Sequence, residues 1–212
     1  MKTPYSDTRD HILSVGESII LGKGFAAVGL SEILTTAAVP KGSFYHYFKS
    51  KEQFGVELLK RYFDEYGQHV AILLSEPALP AAERLMHYWR GWYARQQDCH
   101  GDAQCLAVKL AGEVSDLSEP MREALEQGMA KIVGHIANCI EAGQVDGSIT
   151  AKQAPAALAT VLYQLWLGAS LLAKVQKQCQ PSRLALAATR ALLGMPPAED
   201  VLMADSVLCC PN

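Results

Sequence analysis

The sequence predicts an all-α chain. Three observations carry that expectation. Apolar residues recur at three- and four-residue spacing through nearly every segment, the signature of helices buried along one side. Glycine and proline punctuate those segments at Gly22–Gly24, Pro40, Pro77–Pro80, Gly143–Gly147 and Gly194–Pro197, where helices stop. No run alternates apolar and polar residues over the length of a strand. Half of the 212 residues are apolar, enough to build a sizeable core.

The first helix is expected from about Arg9 to Leu21, capped by Thr8 or Asp7, with Ile12, Leu13, Ile19 and Ile20 as its buried stripe. Gly22-Lys23-Gly24 ends it, glycine supplying a left-handed residue. Phe25 to Gly29 connects it to the next helix, where Leu30, Ile33, Leu34 and Ala37 share a face. Ser31 is the expected N-cap of that helix. Val39-Pro40 stops it, because a residue before proline is pushed out of the α region. Lys41-Gly42 is then read as a turn, and Ser43 to Phe48 as a second, very short helix. Two short helices joined by a tight turn form a helix-turn-helix, whose second helix can enter a major groove.

That second helix is the informative one. Phe44 and Phe48 are four apart and anchor one face. Ser43, Tyr45, His46 and Tyr47 point elsewhere with polar tips, flanked by Lys41, Lys49 and Lys51. Hydroxyls and polar aromatics reach base edges, and lysines neutralise phosphates. A core aromatic cluster with solvated lysines is the bland alternative. Lys51 opens a long helix running to about Leu74, at a start where backbone amides also favour a phosphate.

Beyond the loop at Glu76–Pro80, further helices are expected over Ala81–Gln97, Gln104–Glu113, Glu119 to about Ala142, Ala151 to about Lys177, and Ser182–Leu193. Ser118 caps the third of these, with Pro120 in its first turn. Asp98–Asp102 is a polar loop, and 198–212 a loose tail. Small residues Gly168, Ala169, Ser170 and Ala173, set among Leu165, Trp166, Leu171 and Leu172, suit close approach of a second helix. Trp89, Trp92, Tyr93, Tyr163 and Trp166 can line a ligand pocket or equally fill a core.

Charge is uneven. Residues 1–51 hold six Lys/Arg against four Asp/Glu, and residues 52–212 hold 13 against 18. A mildly positive head on an acidic body fits contact with nucleic acid at one end. MKTPYSDTRD lacks the apolar segment of a signal peptide, so a cytoplasmic protein with reduced cysteines is expected. Cys139 and Cys179 read as inert, and Cys209 and Cys210 as part of the tail. Cys99, His100 and Cys105 lack a convincing fourth metal ligand, so no metal and no cofactor are expected. Pro155 to Ala173 is uncharged, but its polar interruptions favour a buried helix over a membrane span. No glycine-rich cofactor loop or nucleophile elbow appears, so an enzyme using Cys105 is the weaker alternative.

The segment KGSFYHYFKSKEQF resembles the signature of the TetR family of bacterial transcriptional regulators, strongly over about residues 8 to 60. The resemblance implies a TetR-like fold: a three-helix DNA-binding domain over 1–50, a helical ligand-sensing and dimerisation domain over 51–195, and a tail over 196–212. It implies a homodimer, paired through its last two long helices, on palindromic double-stranded operator DNA. Ser31, Thr35, Lys41, Gly42, Ser43, Tyr45, His46, Tyr47 and Lys51 are the expected DNA contacts.

CLAVKLAGEVSDLSE, residues 105–119, resembles a subset of that family, the repressors responding to reactive electrophiles, of the N-ethylmaleimide reductase and acrylate-responsive types. The shared features are Cys105 before Leu106 and an acidic residue eight positions on, Glu113; LWLGASLLAK, 165–174, continues the likeness. Gln104 departs from it, since glycine commonly precedes the cysteine. The resemblance implies that Cys105 is the sensing thiol, with Lys174 beside it. A thiolate at a helix start is favoured by the dipole and is the reactive form. A buried, inert cysteine, and a lysine reaching solvent at its helix end, are the alternatives. So is release by a non-covalent effector, such as an acrylate-like acid or a drug.

Overall fold

The structure, a computed structural model, describes residues 4–97 and 106–196, with side chains from 8–95 and 106–196. Among the described residues there are nine α-helices and no strand. They are α1 (Pro4–Lys23), α2 (Leu30–Thr36), α3 (Lys41–Tyr47), α4 (Lys51–Leu74), α5 (Ala81–Gln97), α6 (Leu106–Val114), α7 (Glu119–Asp146), α8 (Pro155–Gln176) and α9 (Gln180–Leu192). The described residues form two compact units. One holds 4–65 with 106–129, the other 66–97 with 130–196, and the divisions fall inside α4 and α7.

In the first unit, Ile12, Leu13, Ile20, Val28, Ile33, Phe44, Phe48 and Phe54 are fully buried. The rings of Phe44, Phe48 and Phe54 lie 5.1–5.6 Å apart and join α3 to α4. Gly16 of α1 lets Phe54 in, since any Cβ there would overlap its ring. Arg61 ties α4 to α1, donating to Asp10 O at 3.1 Å, Ser14 Oγ at 2.8 Å and Glu17 Oε2 at 2.6 Å. His11 Nε2 donates to Ala37 O at 3.0 Å, holding the end of α2.

The second unit is built around tryptophan. Trp89 and Trp166 stack with centroids 4.9 Å apart and planes 8° from parallel. Trp92 stacks on Trp89 at 5.4 Å. Trp166 Nε1 donates to the buried Thr189 Oγ1 at 2.9 Å, and Trp92 Nε1 to Ser170 Oγ at 3.0 Å. The first amides of α5 are satisfied by Asp146 Oδ2, at 3.1 Å from Ala81 N, and Ser148 Oγ, at 3.1 Å from Ala82 N. Asp146 also accepts from Ser148, whose N donates to Oδ1 at 2.8 Å; the bonds from Ser148, and then the one from Ala81 N, lower the Asp146 pKa. Among the described residues one helix, α8, is long and apolar enough to cross a membrane by length and composition, with mean hydropathy 1.6. Its Leu158, Leu162, Tyr163 and Trp166 are buried inside the unit.

Several boundaries differ from the sequence expectation. Helix α1 begins by Pro4, ahead of the expected caps, and ends at Gly24 with φ +91°, as expected of a glycine cap. The N-cap of α2 is Gly29, not Ser31, which sits inside the first turn. Lys41 and Gly42 belong to α3, whose N-cap is Pro40. The turn comes earlier, at Ala37–Pro40, with Ala38 supplying the left-handed residue at φ +53°. Proline's fixed φ suits a helix start, so Pro40 opens α3 where it was read only as closing α2. Helix α7 passes through Gly143 to Asp146 and stops at Gly147, whose φ is +78°, while Ile149 packs onto the bare Gly143 backbone. Helix α8 spans Pro155–Gln176, with Lys177 in a left-handed cap, and α9 starts at Gln180. Cys179 is disulfide-bonded, against the expectation of reduced cysteines. Compartment argues whether a bridge persists, whereas pairing needs two sulfurs in reach, and spacing along the chain does not show that.

Candidate nucleic-acid interface

Helix α3 is amphipathic across very few residues. Phe44 and Phe48 have no exposed surface and hold it to the core. Tyr45 is 48% exposed, His46 is exposed, and Ser43 and Tyr47 are half-buried. The Lys41 Nζ lies 5.8 Å from the Tyr45 ring centroid, and the His46 and Tyr47 rings meet edge-on at 4.8 Å. Lys41 and Gly42 are exposed in the first turn. Ser31 and Thr35 are exposed on α2. Side chains of α2 and α3 that can donate or accept hydrogen bonds thus stand outward from an aromatic base, which is what groove reading requires.

Lys51 is placed differently from the other lysines. Its ammonium donates to Phe25 O at 2.7 Å and lies 4.4 Å from the Phe25 ring centroid. Burial lowers its pKa, while the Glu113 charge acts the other way. Phe25 O takes one of the three N–H groups of the ammonium, and the others stay available to a phosphate. Sequence reasoning did not find this inward role, because nothing in the spacing of 25 and 51 reveals it.

The residues expected to act in sensing come out unevenly. Cys105 lies outside the described residues, as do Cys99, His100, Cys209 and Cys210. Lys174 is exposed in the last turn of α8. Cys139 is buried and free, its Sγ donating to Ala81 O at 3.5 Å, and burial pushes its pKa up to about 11. Of the aromatic residues considered for a pocket, Trp89, Trp92, Tyr163 and Trp166 pack on one another in the core, and Tyr93 is half-buried. Among the described residues, Trp89 Nε1 is buried with no hydrogen-bond partner. An open surface cleft lies elsewhere, between Thr150–Gln153 and Ala191–Gly194.

The comparisons with known proteins agree with this architecture. Residues 12–58 match the family described as "Bacterial regulatory proteins, tetR family". Residues 81–189 match "Tetracyclin repressor-like, C-terminal domain". The HTH-type transcriptional repressor NemR of Escherichia coli K12 is 42% identical over 192 residues, covering 90% of this chain and 96% of that protein. The HTH-type transcriptional repressor DhaR of Mycobacterium sp. GP1 is 32% identical, covering 82% and 85%. The crystal structure of reduced E. coli NemR matches with a TM-score of 0.86, covering 90% of this chain and 98% of that one. Identity at that level through both the helix-turn-helix and the helical body leaves one conclusion: the chain belongs to the TetR family of bacterial transcriptional regulators, as a DNA-binding regulator of the NemR type.

Proposed function

We propose that this chain is a cytoplasmic, homodimeric repressor that binds a palindromic operator through α3 and lets go when a reactive electrophile or oxidant modifies Cys105. The observation that carries the DNA-binding part is the outward polar face of α3, set on the buried Phe44 and Phe48. Lys41, Gly42, Ser43, Tyr45, His46 and Tyr47 meet bases and phosphates, with Ser31 and Thr35 from α2 beside them. Lys51 and the amides at the start of α4 serve a flanking phosphate.

Dimerisation is supported by an apolar face that the chain leaves open. Leu171, Leu172 and Val175 of α8 are 54%, 49% and 72% exposed, with Leu184 of α9 at 60%. Gly168 lies on the same helix with nothing within 4 Å of a Cβ built there. A two-fold axis through such a helix pair presents two recognition helices to half-sites roughly 34 Å apart on one DNA face.

The thiol trigger is supported by the CLAVKLAGE likeness and by the 42%-identical relative, whose structure was solved in a reduced form. Lys174 would favour the Cys105 thiolate by its charge. A gel shift with DNA flanking the protein's own gene tests the reading. Wild-type protein should bind, then release on treatment with N-ethylmaleimide, methylglyoxal or hypochlorite. Cys105→Ser should bind and hold. If Cys105→Ser lets go as readily as wild type, a non-covalent effector or another cysteine is the trigger.

A further inference from the structure

The acidic residue of the CLAVKLAGE motif has a place in the structure that its sequence position does not announce. Glu113, in the last turn of α6, points at the connector between α1 and α2. Its Oε2 accepts from Phe25 N at 3.0 Å, and its Oε1 accepts from Ala26 N at 2.6 Å. Each carboxylate oxygen takes one of two consecutive amides, a charge-assisted pair. One helical turn earlier on α6, Lys109 Nζ lies 3.4 Å from Gly22 O, at the C-terminal end of α1. The cation thus meets a carbonyl at the negative end of α1, and the anion meets the amides just past it. Gly24 makes the approach possible: its φ is +91°, and a Cβ there would stand 2.9 Å from Glu113 Oε2. Phe25 is then held on its other side by Lys51, through its carbonyl and its ring.

We propose that Glu113 is a positioning residue, gripping the Phe25 and Ala26 amides so that the place of α6 sets the place of the helix-turn-helix. The proposal rests on the repressor reading above and adds the link that reading lacks. Helix α6 begins at Leu106, directly after Cys105, and Glu113 is seven residues further, about 10 Å along the axis. The connector it holds leads within four residues to Leu30, the start of α2. A shift of α6 along or about its axis therefore pulls on the backbone that enters α2 and α3.

The test uses Glu113→Gln in the full chain. The carboxamide keeps size but turns an NH2 toward one of the two amides, donor against donor. Expected are an unchanged melting temperature to within a few degrees and at least tenfold faster hydrogen exchange at Phe25 and Ala26. Untreated operator affinity should fall about tenfold. The ratio of operator affinities before and after N-ethylmaleimide should shrink to a third of the wild-type ratio or less. A residue that only stabilises the fold would lower the melting temperature and leave that ratio intact, which overturns the proposal. Unchanged exchange at the two amides overturns it as well. Should Glu113→Gln fail to fold, Lys109→Met removes the weaker hold and must move exchange and ratio in the same direction, or the proposal falls. Wild-type protein that binds no operator refutes the repressor reading. Wild-type protein that binds but ignores N-ethylmaleimide refutes the thiol trigger. In both cases amide exchange in Glu113→Gln still decides the grip, joined in the second by untreated operator affinity.

Discussion

Replacing Gly168 with leucine separates what the protomer needs from what a dimer needs. A Cβ built at Gly168 meets nothing within 4 Å, and the residue is exposed on the α8 surface. Inside one protomer, then, leucine has room. Glycine costs a helix interior about 1 kcal/mol relative to alanine, and leucine is close to alanine, so the helix itself gains several tenths of a kcal/mol. In a dimer packed through this face the sign reverses. Overpacking a close helix approach costs about 1–3 kcal/mol per site. Two-fold symmetry places the site in the interface twice, giving about 2–6 kcal/mol, or roughly 30-fold to 10⁴-fold in dimer dissociation at 1.4 kcal/mol per decade. Sedimentation over a concentration series, beside circular dichroism, reads both quantities. Gly168→Leu should keep wild-type helix content while shifting to monomer at micromolar concentration, and operator affinity should fall with it. A variant that dimerises as tightly as wild type would show that no helix covers Gly168. A wild-type monomer at micromolar concentration would refute the dimer altogether.

Phe44→Ala should destabilise the protein by about 3–5 kcal/mol, since Phe44 is fully buried, whereas Tyr45→Ala should leave the melting temperature alone and change which operators win in a selection from random DNA. If Tyr45→Ala selects the same sequences as wild type, Tyr45 reads no bases. Cys139, with its pKa raised to about 11 by burial, should resist N-ethylmaleimide at pH 7 until the chain is denatured. Intact-mass labelling of the native protein at Cys139 would contradict that. Gly128→Ala sets a Cβ into the buried Phe63 ring, an overpacking cost of about 1–3 kcal/mol that the ~1 kcal/mol helix gain does not cancel at its upper end. The melting temperature should fall by a few degrees, and an unchanged value would mean the ring has room to move.

The parts of this fold that were legible in sequence are those set by local periodicity. Lys51–Leu74 and Ala81–Gln97 came out with the expected bounds, because each has a long apolar stripe and a proline-marked loop beyond or before it. Ser118 was found as a cap, and its Oγ does accept from Met121 N at 3.3 Å. Short elements were harder. In a seven-residue helix one cap decides the boundary, and Pro40 was compatible both with ending α2 and with opening α3. The positive φ at Ala38 had no glycine to advertise it. Core aromatics posed a different problem. Trp89 and Trp166 have the spacing of pocket or core residues alike, and only their stacking at 4.9 Å shows that they fill space against each other.

The polar outer face of α3 could be read from spacing because it depends on residues four apart. The hold on the connector ahead of α2 could not, because it depends on residues far apart in the chain. Glu113 reaches amides 87 and 88 positions away, and Lys51 a carbonyl 26 away. Both partners on the connector are backbone groups, so no side-chain complementarity in the sequence marks them. What the sequence does carry is the condition for the contact: a glycine at 24, where a left-handed residue with no Cβ lets a carboxylate reach the next two amides. Gly24 was read as the end of a helix, and it is that. It is also the opening through which α6 holds the chain entering the recognition helices, so Gly24→Ala should weaken operator binding beyond what its backbone strain costs in stability. Comparing that loss with the loss in Glu113→Gln, and in the double variant, measures the coupling directly: losses that simply add would mean the two residues act apart.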